Sequence, residues 1–303
     1  MKYEEFKENL LEELQRFYGD SAEVEVADVR KNNGIRYDGI QIRMAGDSSR
    51  VAPVLNIEGL YNRFTKNGMD MEDCVQAVSR ILANNSVPEG VEQIAEKVTV
   101  WDYVKEKVFP ILLSTEDNRE LLQKLVSTQI LDLSVAYIIR FKMMDDCDGN
   151  AKINKDMLEI YGITIEQLHD QAMENLKRDG YEFQSMPSII KSMSGPDEAE
   201  KMHHRFTRQE EVMHILTNSR GTYGAAGILD KELLKEFAGK QDYYILPSSV
   251  HECILVPVTD EVNKEKLDNM VAEINATQVS AEERLTDHSY YYDAGAGEIR
   301  MCA

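Results

Sequence analysis

Residues 242–259 read DYYILPSSVHECILVPVT. Two β-rich runs, 243–246 and 253–258, enclose a polar centre at 247–252. Apolar runs bounded by Pro and Ser predict two strands joined by a turn. The centre gathers two hydroxyls, an imidazole and a carboxylate, so Ser248, Ser249, His251 and Glu252 are the candidate ligand-binding residues. No catalytic residue is assigned. A serine nucleophile needs a base within reach and an oxyanion hole. Ser248 and Ser249 precede a strand, whereas the nucleophile elbow is a strand-to-helix turn. Strand alternation also sends His251 and Glu252 to opposite faces. The plain reading is a turn whose hydroxyls satisfy backbone groups.

Working outward, a helix over 263–277 and a closing strand over 288–293 are predicted, the latter carrying Tyr290, Tyr291 and Tyr292. Upstream come a strand over 212–217, a glycine-rich turn, a short apolar strand over 225–229 and a helix over 231–239. The spacing Gly221, Gly224, Gly227 is not the G-x-G-x-x-G of a dinucleotide fold, and no P-loop motif occurs. These glycines fit a turn and a close backbone approach.

Residues 181–206, with Pro187 and Gly195-Pro196, read as a connector. A link of that length inside a compact domain points to a boundary. The expected division is therefore an N-terminal lobe 1–180, a connector 181–206 and a C-terminal lobe 207–303.

In the N-terminal lobe, Tyr3, Phe6, Leu10, Leu14 and Phe17 recur at helical spacing over 2–18. Val24 and Val26, then Asn33-Gly34, then Ile40, Ile42 and Met44 predict a hairpin. A third strand over 51–57 carries Pro53, which suits an edge or a strand start. Helical patterns follow at 71–82 and 91–108, with Trp101 expected in the core and Pro110 breaking the pattern. A helix over 116–127, a strand over 131–141, and helices over 155–161 and 165–178 capped by Asn154 and Thr164 complete the lobe. Residues 153–158 and 229–234 echo one another. The echo reads either as a duplicated lobe or as two ordinary helix starts.

A formal charge of −20 on 303 residues disfavours binding to nucleic-acid phosphates and favours solubility or a basic protein partner. The most apolar run, 130–139, is too short to span a bilayer, and the acidic start MKYEEF lacks the features of a secretory leader. Four scattered cysteines without a C-x-x-C fit reduced thiols in the cytoplasm. No cofactor or metal is expected. The Asp145–Asn150 turn lacks the bidentate acid of a calcium loop, since Lys155 takes that place. His203, His204, His214 and His251 lack the spacing of a zinc motif.

Residues 131–137 (LDLSVAY), 161–168 (YGITIEQL) with Ala172 and Asn175, 244–252 (YILPSSVHE) and 289–293 (SYYYD) resemble an uncharacterised bacterial domain-of-unknown-function family of gut anaerobes. That resemblance spans nearly the whole chain. It implies a cytosolic protein of mixed helix and strand, often encoded near mobile elements, and it brings no activity. The fold expected is α+β, with mixed, mostly antiparallel sheets, helices packed on their faces and two poorly separated lobes. The expected function is non-enzymatic binding through an acidic surface. The alternative is a small-molecule-binding or hydrolytic enzyme with its site at 247–252.

Overall fold

The computed structural model describes residues 1–46, 51–84, 89–144, 147–185, 188 and 212–302. Packing divides the chain into two compact units: Met1–Tyr103 with Phe141–Asn150, and Val104–Arg140 with Ala151–Ala303. The architecture is α+β. The described residues form three sheets with helices on their faces.

The first unit starts with α1 (Tyr3–Tyr18), whose Phe6, Leu10 and Leu14 are buried. Phe17 departs from the expected stripe and is 49% exposed, because it sits on the solvent side of the last turn. The hairpin β1 (Ala22–Arg30) and β2 (Arg36–Met44) pairs in antiparallel register, Val24 opposite Ile42 and Val26 opposite Ile40. Asn33 and Gly34 both take positive φ, 55° and 67°, as a tight turn of this hand requires. Strand β3 (Val54–Asn56) begins directly after Pro53 and lies at the sheet edge, where a missing N–H removes no ladder bond. Next come α2 (Ile57–Asn67), which the sequence pattern did not reveal, α3 (Met71–Asn84) and α4 (Glu89–Lys97). Ile40, Ile42, Ile57, Leu60, Cys74, Val75 and Val78 close one core with the α1 stripe.

The expected long helix over 91–108 is instead α4, the single turn α5 (Trp101–Val104) and the start of β4 (Val108–Ser114). Trp101 is half-buried. Pro110 does not break the pattern. It lies inside β4, which is tolerable because β4 borders its sheet and pairs only with β6 (Leu133–Met144). The helix expected over 116–127 shortens to α6 (Arg119–Lys124), because Ser114 Oγ bonds Asp117 Oδ2 at 2.7 Å and closes a turn first. β5 (Ser127–Ile130) then pairs with β6 through a two-residue turn, with Leu131 at φ 54°. The strand β7 (Cys147–Lys152) joins β6, placing part of the expected Asp/Gly turn in a strand. Helices α7 (Lys155–Tyr161) and α8 (Ile165–Arg178) carry the expected caps, Asn154 Oδ1 on Met157 N and Thr164 Oγ1 on Gln167 N. Asn175 pins α8 to the start of β4, donating Nδ2 to Lys105 O and Val108 O at 2.7 and 2.8 Å.

The second large sheet has the order β13-β12-β10-β11-β9-β8, antiparallel throughout. Its strands are β8 (Tyr181–Ser185), β9 (His214–Asn218), β10 (Tyr243–Leu246), β11 (Cys253–Pro257), β12 (Tyr290–Asp293) and β13 (Glu298–Met301). Residues 181–185, expected in the connector, are thus an edge strand. Ser188 is described, while 186–187 and 189–211, with His203 and His204, lie outside the described residues. Helices α9 (Lys231–Ala238) and α10 (Lys264–Thr277) follow β9 and β11. Leu246 and Val256 pack with Leu267 and Val271 of α10 on one face of the sheet. On the opposite face, Phe183 stacks on Phe237 of α9 with centroids 3.8 Å apart. The apolar run expected as a strand at 225–229 is a 3-10 helix, Gly224–Leu229. No edge is free beside it, because β9 already has β8 and β11 as neighbours.

Candidate functional site

Leu246 pairs with Ile254, so seven residues, 247–253, connect the paired parts of β10 and β11. The connection is not a simple turn. Its first half is zipped to 283–286: Val250 N donates to Glu283 O at 2.8 Å, Leu285 N to Ser248 O at 3.1 Å and Thr286 N to Pro247 O at 3.3 Å. Its second half is braced by 217–226. Thr217 Oγ1 donates to His251 O at 3.0 Å, Ala225 N to Val250 O at 3.3 Å, and Cys253 Sγ lies 3.7 Å from Ala225 O. Gly224 makes the second brace fit. A Cβ there would lie 2.4 Å from His251 O, 2.5 Å from Thr217 Oγ1 and 2.9 Å from Asn218 N. The close backbone approach expected of these glycines is therefore made, to residue 251.

The four candidate residues take different positions. Ser248 and Ser249 are buried. Ser249 Oγ accepts the His251 N–H at 3.0 Å, which closes a local turn and points its lone pair at backbone. The His251 Nδ1 accepts the Tyr223 N–H at 3.3 Å, and Nε2 lies 3.2 Å from Glu283 Oε1. An acceptor at Nδ1 leaves the proton on Nε2, aimed at Glu283. Both imidazole nitrogens are engaged away from the serines.

Strand alternation does not separate His251 from Glu252, contrary to the sequence reading, because β11 begins only at Cys253. Burial pushes the Glu252 carboxyl above the ordinary range, with the charge of Glu283 adding to the rise. Glu283 is held below its ordinary value by hydrogen bonds from Ser280 and from His251. Cys253 is fully buried, and burial pushes its thiol far up, so it is not a nucleophile.

The signs are opposite for the two carboxylates. The folded chain holds the Glu252 proton more tightly than the unfolded chain, so this group's contribution to stability is full below about pH 4.3 and is lost as pH rises through its folded value. The Glu283 contribution is present above the ordinary value and is lost as pH falls through the folded one. Glu252→Gln is therefore expected to raise the urea midpoint relative to the natural chain at neutral pH. The gap should close below about pH 4. A gap independent of pH in paired urea titrations would contradict the placement.

A family model described as a family of unknown function, DUF5688, matches residues 3–294. The chain belongs to the DUF5688 family. Neither the comparison with curated proteins nor that with solved structures found a match.

A second polar group was not visible in the sequence. Asp132, in the β5–β6 turn, lies 2.8 Å from His288 Nε2 and accepts the Tyr290 O–H at 2.5 Å. Burial opposes ionisation of Asp132, but the Tyr290 and His288 hydrogen bonds outweigh it and hold the carboxyl low. Beside it, Ser289 donates Oγ to Asp268 at 2.7 Å, and Lys264 lies 3.3 Å from the other Asp268 oxygen. Residues 132 and 290 are 158 apart in sequence, so no local pattern could pair them. Among the described residues no cluster of three or more His, Cys, Asp or Glu could hold a metal, and no helix is long and apolar enough to cross a membrane.

Proposed function

We propose that this DUF5688 chain is a cytoplasmic binding protein, and that the edge formed by His251, Glu252 and Glu283 receives a basic segment of a partner protein. The observation that carries this reading is the state of Glu252. It is partly buried, its carboxyl is raised by that burial, and the like charge of Glu283 adds repulsion. An ammonium or guanidinium placed between the two carboxylates relieves both penalties. Ser248 and Ser249 hold the edge from inside, and His251 and Glu252 meet the partner. The chain's charge of −20 draws a cationic segment in from a distance, and the free thiols of Cys74, Cys253 and Cys302 suit a reducing compartment.

The hydrolytic alternative asks for a base facing a serine hydroxyl. Ser249 Oγ takes a backbone N–H, and His251 is spent on Tyr223 and Glu283, so the geometry favours binding. The test is fluorescence anisotropy with a labelled oligolysine peptide. Saturable binding at low salt should weaken as salt rises. The double variant Glu252→Gln, Glu283→Gln should weaken it about three- to tenfold, the range for two partly exposed charge pairs. No binding at low salt, or binding indifferent to the double variant, would overturn the proposal.

A further inference from the structure

The two ring nitrogens of His251 serve different segments, and a proton treats them differently. Nδ1 accepts the Tyr223 N–H at 3.3 Å, and Nε2 lies 3.2 Å from Glu283 Oε1. A backbone N–H only donates, so Nδ1 must be the bare nitrogen of the ring. Protonation puts a hydrogen on that nitrogen, and two N–H groups then face each other. The Glu283 side has no such conflict. Nε2 carries its hydrogen in both states, and an imidazolium strengthens its bond to a carboxylate. One proton therefore breaks the contact on one side of the ring and tightens the contact on the other.

The surroundings let the ring answer that conflict by moving. The His251 side chain is 26% exposed and that of Glu283 is 41% exposed, so the ring can turn toward solvent and keep Glu283. Glu252 is next in the chain, Glu283 touches the ring, and the Tyr223 ring stands with its centroid 5.9 Å away. The arginines of the flanking segments are turned elsewhere, Arg220 to Asp179 and Arg284 to Val279 O. An imidazolium here stands beside two carboxylates; what it cannot keep is the Tyr223 N–H. Tyr223 is also where a release is felt. Its φ of 55° is a backbone conformation that bulky residues rarely take, and it opens the 3-10 helix Gly224–Leu229. Ala225 N, at the start of that helix, donates to Val250 O, so the Nδ1 bond holds the entry to the brace.

We propose that His251 is a proton-operated latch, in which protonation of Nδ1 releases the Tyr223 N–H and loosens the 223–226 brace on the 247–252 connection. The latch stands on these hydrogen bonds alone, whether or not the edge receives a basic partner. Opening takes up a proton, so it is favoured as pH falls. The test follows the full chain from about pH 8 to about pH 5, the span in which imidazoles titrate. Two signals are read: the ¹⁵N resonances of the His251 ring, and hydrogen exchange of the Tyr223 amide corrected for the intrinsic pH dependence of exchange. Protection of that amide should fall roughly tenfold, the scale of one lost hydrogen bond, with the same midpoint as the ring. His251→Asn puts an amide oxygen in place of Nδ1 and takes no proton, so its Tyr223 protection should hold across the range. Glu252→Gln removes the neighbouring carboxyl and its titration, and should leave the loss in place. A Tyr223 amide that stays protected while the ring becomes charged would overturn the latch. So would a ring that takes no proton down to about pH 5, or a loss that persists in His251→Asn. Where His251→Asn does not fold, the natural chain decides: separate midpoints for ring and amide would overturn the latch as well.

Discussion

Asp179→Ala is expected to lower the unfolding free energy by about 3–5 kcal/mol, the usual cost of removing one partner of a buried ion pair. The Asp179 side chain is 4% exposed and accepts from Arg140 and Asn218 while facing Arg220. Without it, Arg140 keeps its charge inside the protein with the carboxylate that accepts from its Nη1 gone. The loss is therefore that of a stranded charge, not of an attraction between two ions. The double variant Arg140→Met, Asp179→Leu removes both charges and should be much less destabilised than Asp179→Ala alone. Urea denaturation of the three proteins decides the matter. An Asp179→Ala loss below about 1 kcal/mol, the level of a surface ion pair, would contradict the buried placement.

Gly224→Ala should cost about 3 kcal/mol, at the upper end for forced overpacking. Its Cβ would lie 2.4 Å from the carbonyl oxygen of His251 and 2.9 Å from the backbone nitrogen of Asn218. Backbone cannot swing aside as a side chain can, so β9 and the 250–253 segment must separate. The bond from Thr217 Oγ1 to His251 O lies in the path of that shift. Gly221→Ala is the control. Nothing lies within 4 Å of its added Cβ, and only its φ of +64° opposes the change. The left-handed conformation costs a non-glycine residue roughly 1–2 kcal/mol. Gly224 itself has no positive φ, so equal losses in thermal or urea unfolding would contradict the close backbone approach as the reason for glycine there.

Most elements were legible where the sequence carries its own local signal. The caps Asn154 and Thr164 each accept a backbone N–H at the start of their helices, and Asn33-Gly34 turns its hairpin. The paired runs around 247–252 formed β10 and β11 as read. The misses are tertiary decisions. Pro110 reads as a breaker until β4 is known to be an edge strand. Residues 225–229 read as a strand until β9 is seen to have both edges occupied. The Glu298–Met301 strand follows a glycine-rich turn that reads as a tail, and it forms because β12 offers an open edge.

The candidate site was legible in its residues but not in their roles. Local spacing brought Ser248, Ser249, His251 and Glu252 together on the page. It could not supply Glu283 or the Tyr223 N–H, which come from 31 residues after Glu252 and 28 before His251. Those two partners decide what His251 can do. Arg140 reads as one charge at the end of an apolar strand, and its burial between Asp179 and the Phe109 ring appears only in the folded chain. The same holds for Asp132 and Tyr290, which meet across two sheets.

The claim that 247–252 is a braced binding edge, not a catalytic centre, is tested most directly by the ¹⁵N resonances of the His251 imidazole. The expected result, on the alkaline side of the ring's titration, is a ring with its proton on Nε2 and Nδ1 acting as acceptor, unchanged in Ser249→Ala and shifted at Nε2 when oligolysine is added. A proton on Nδ1, or a ring whose signals respond to Ser249→Ala but not to oligolysine, would contradict it.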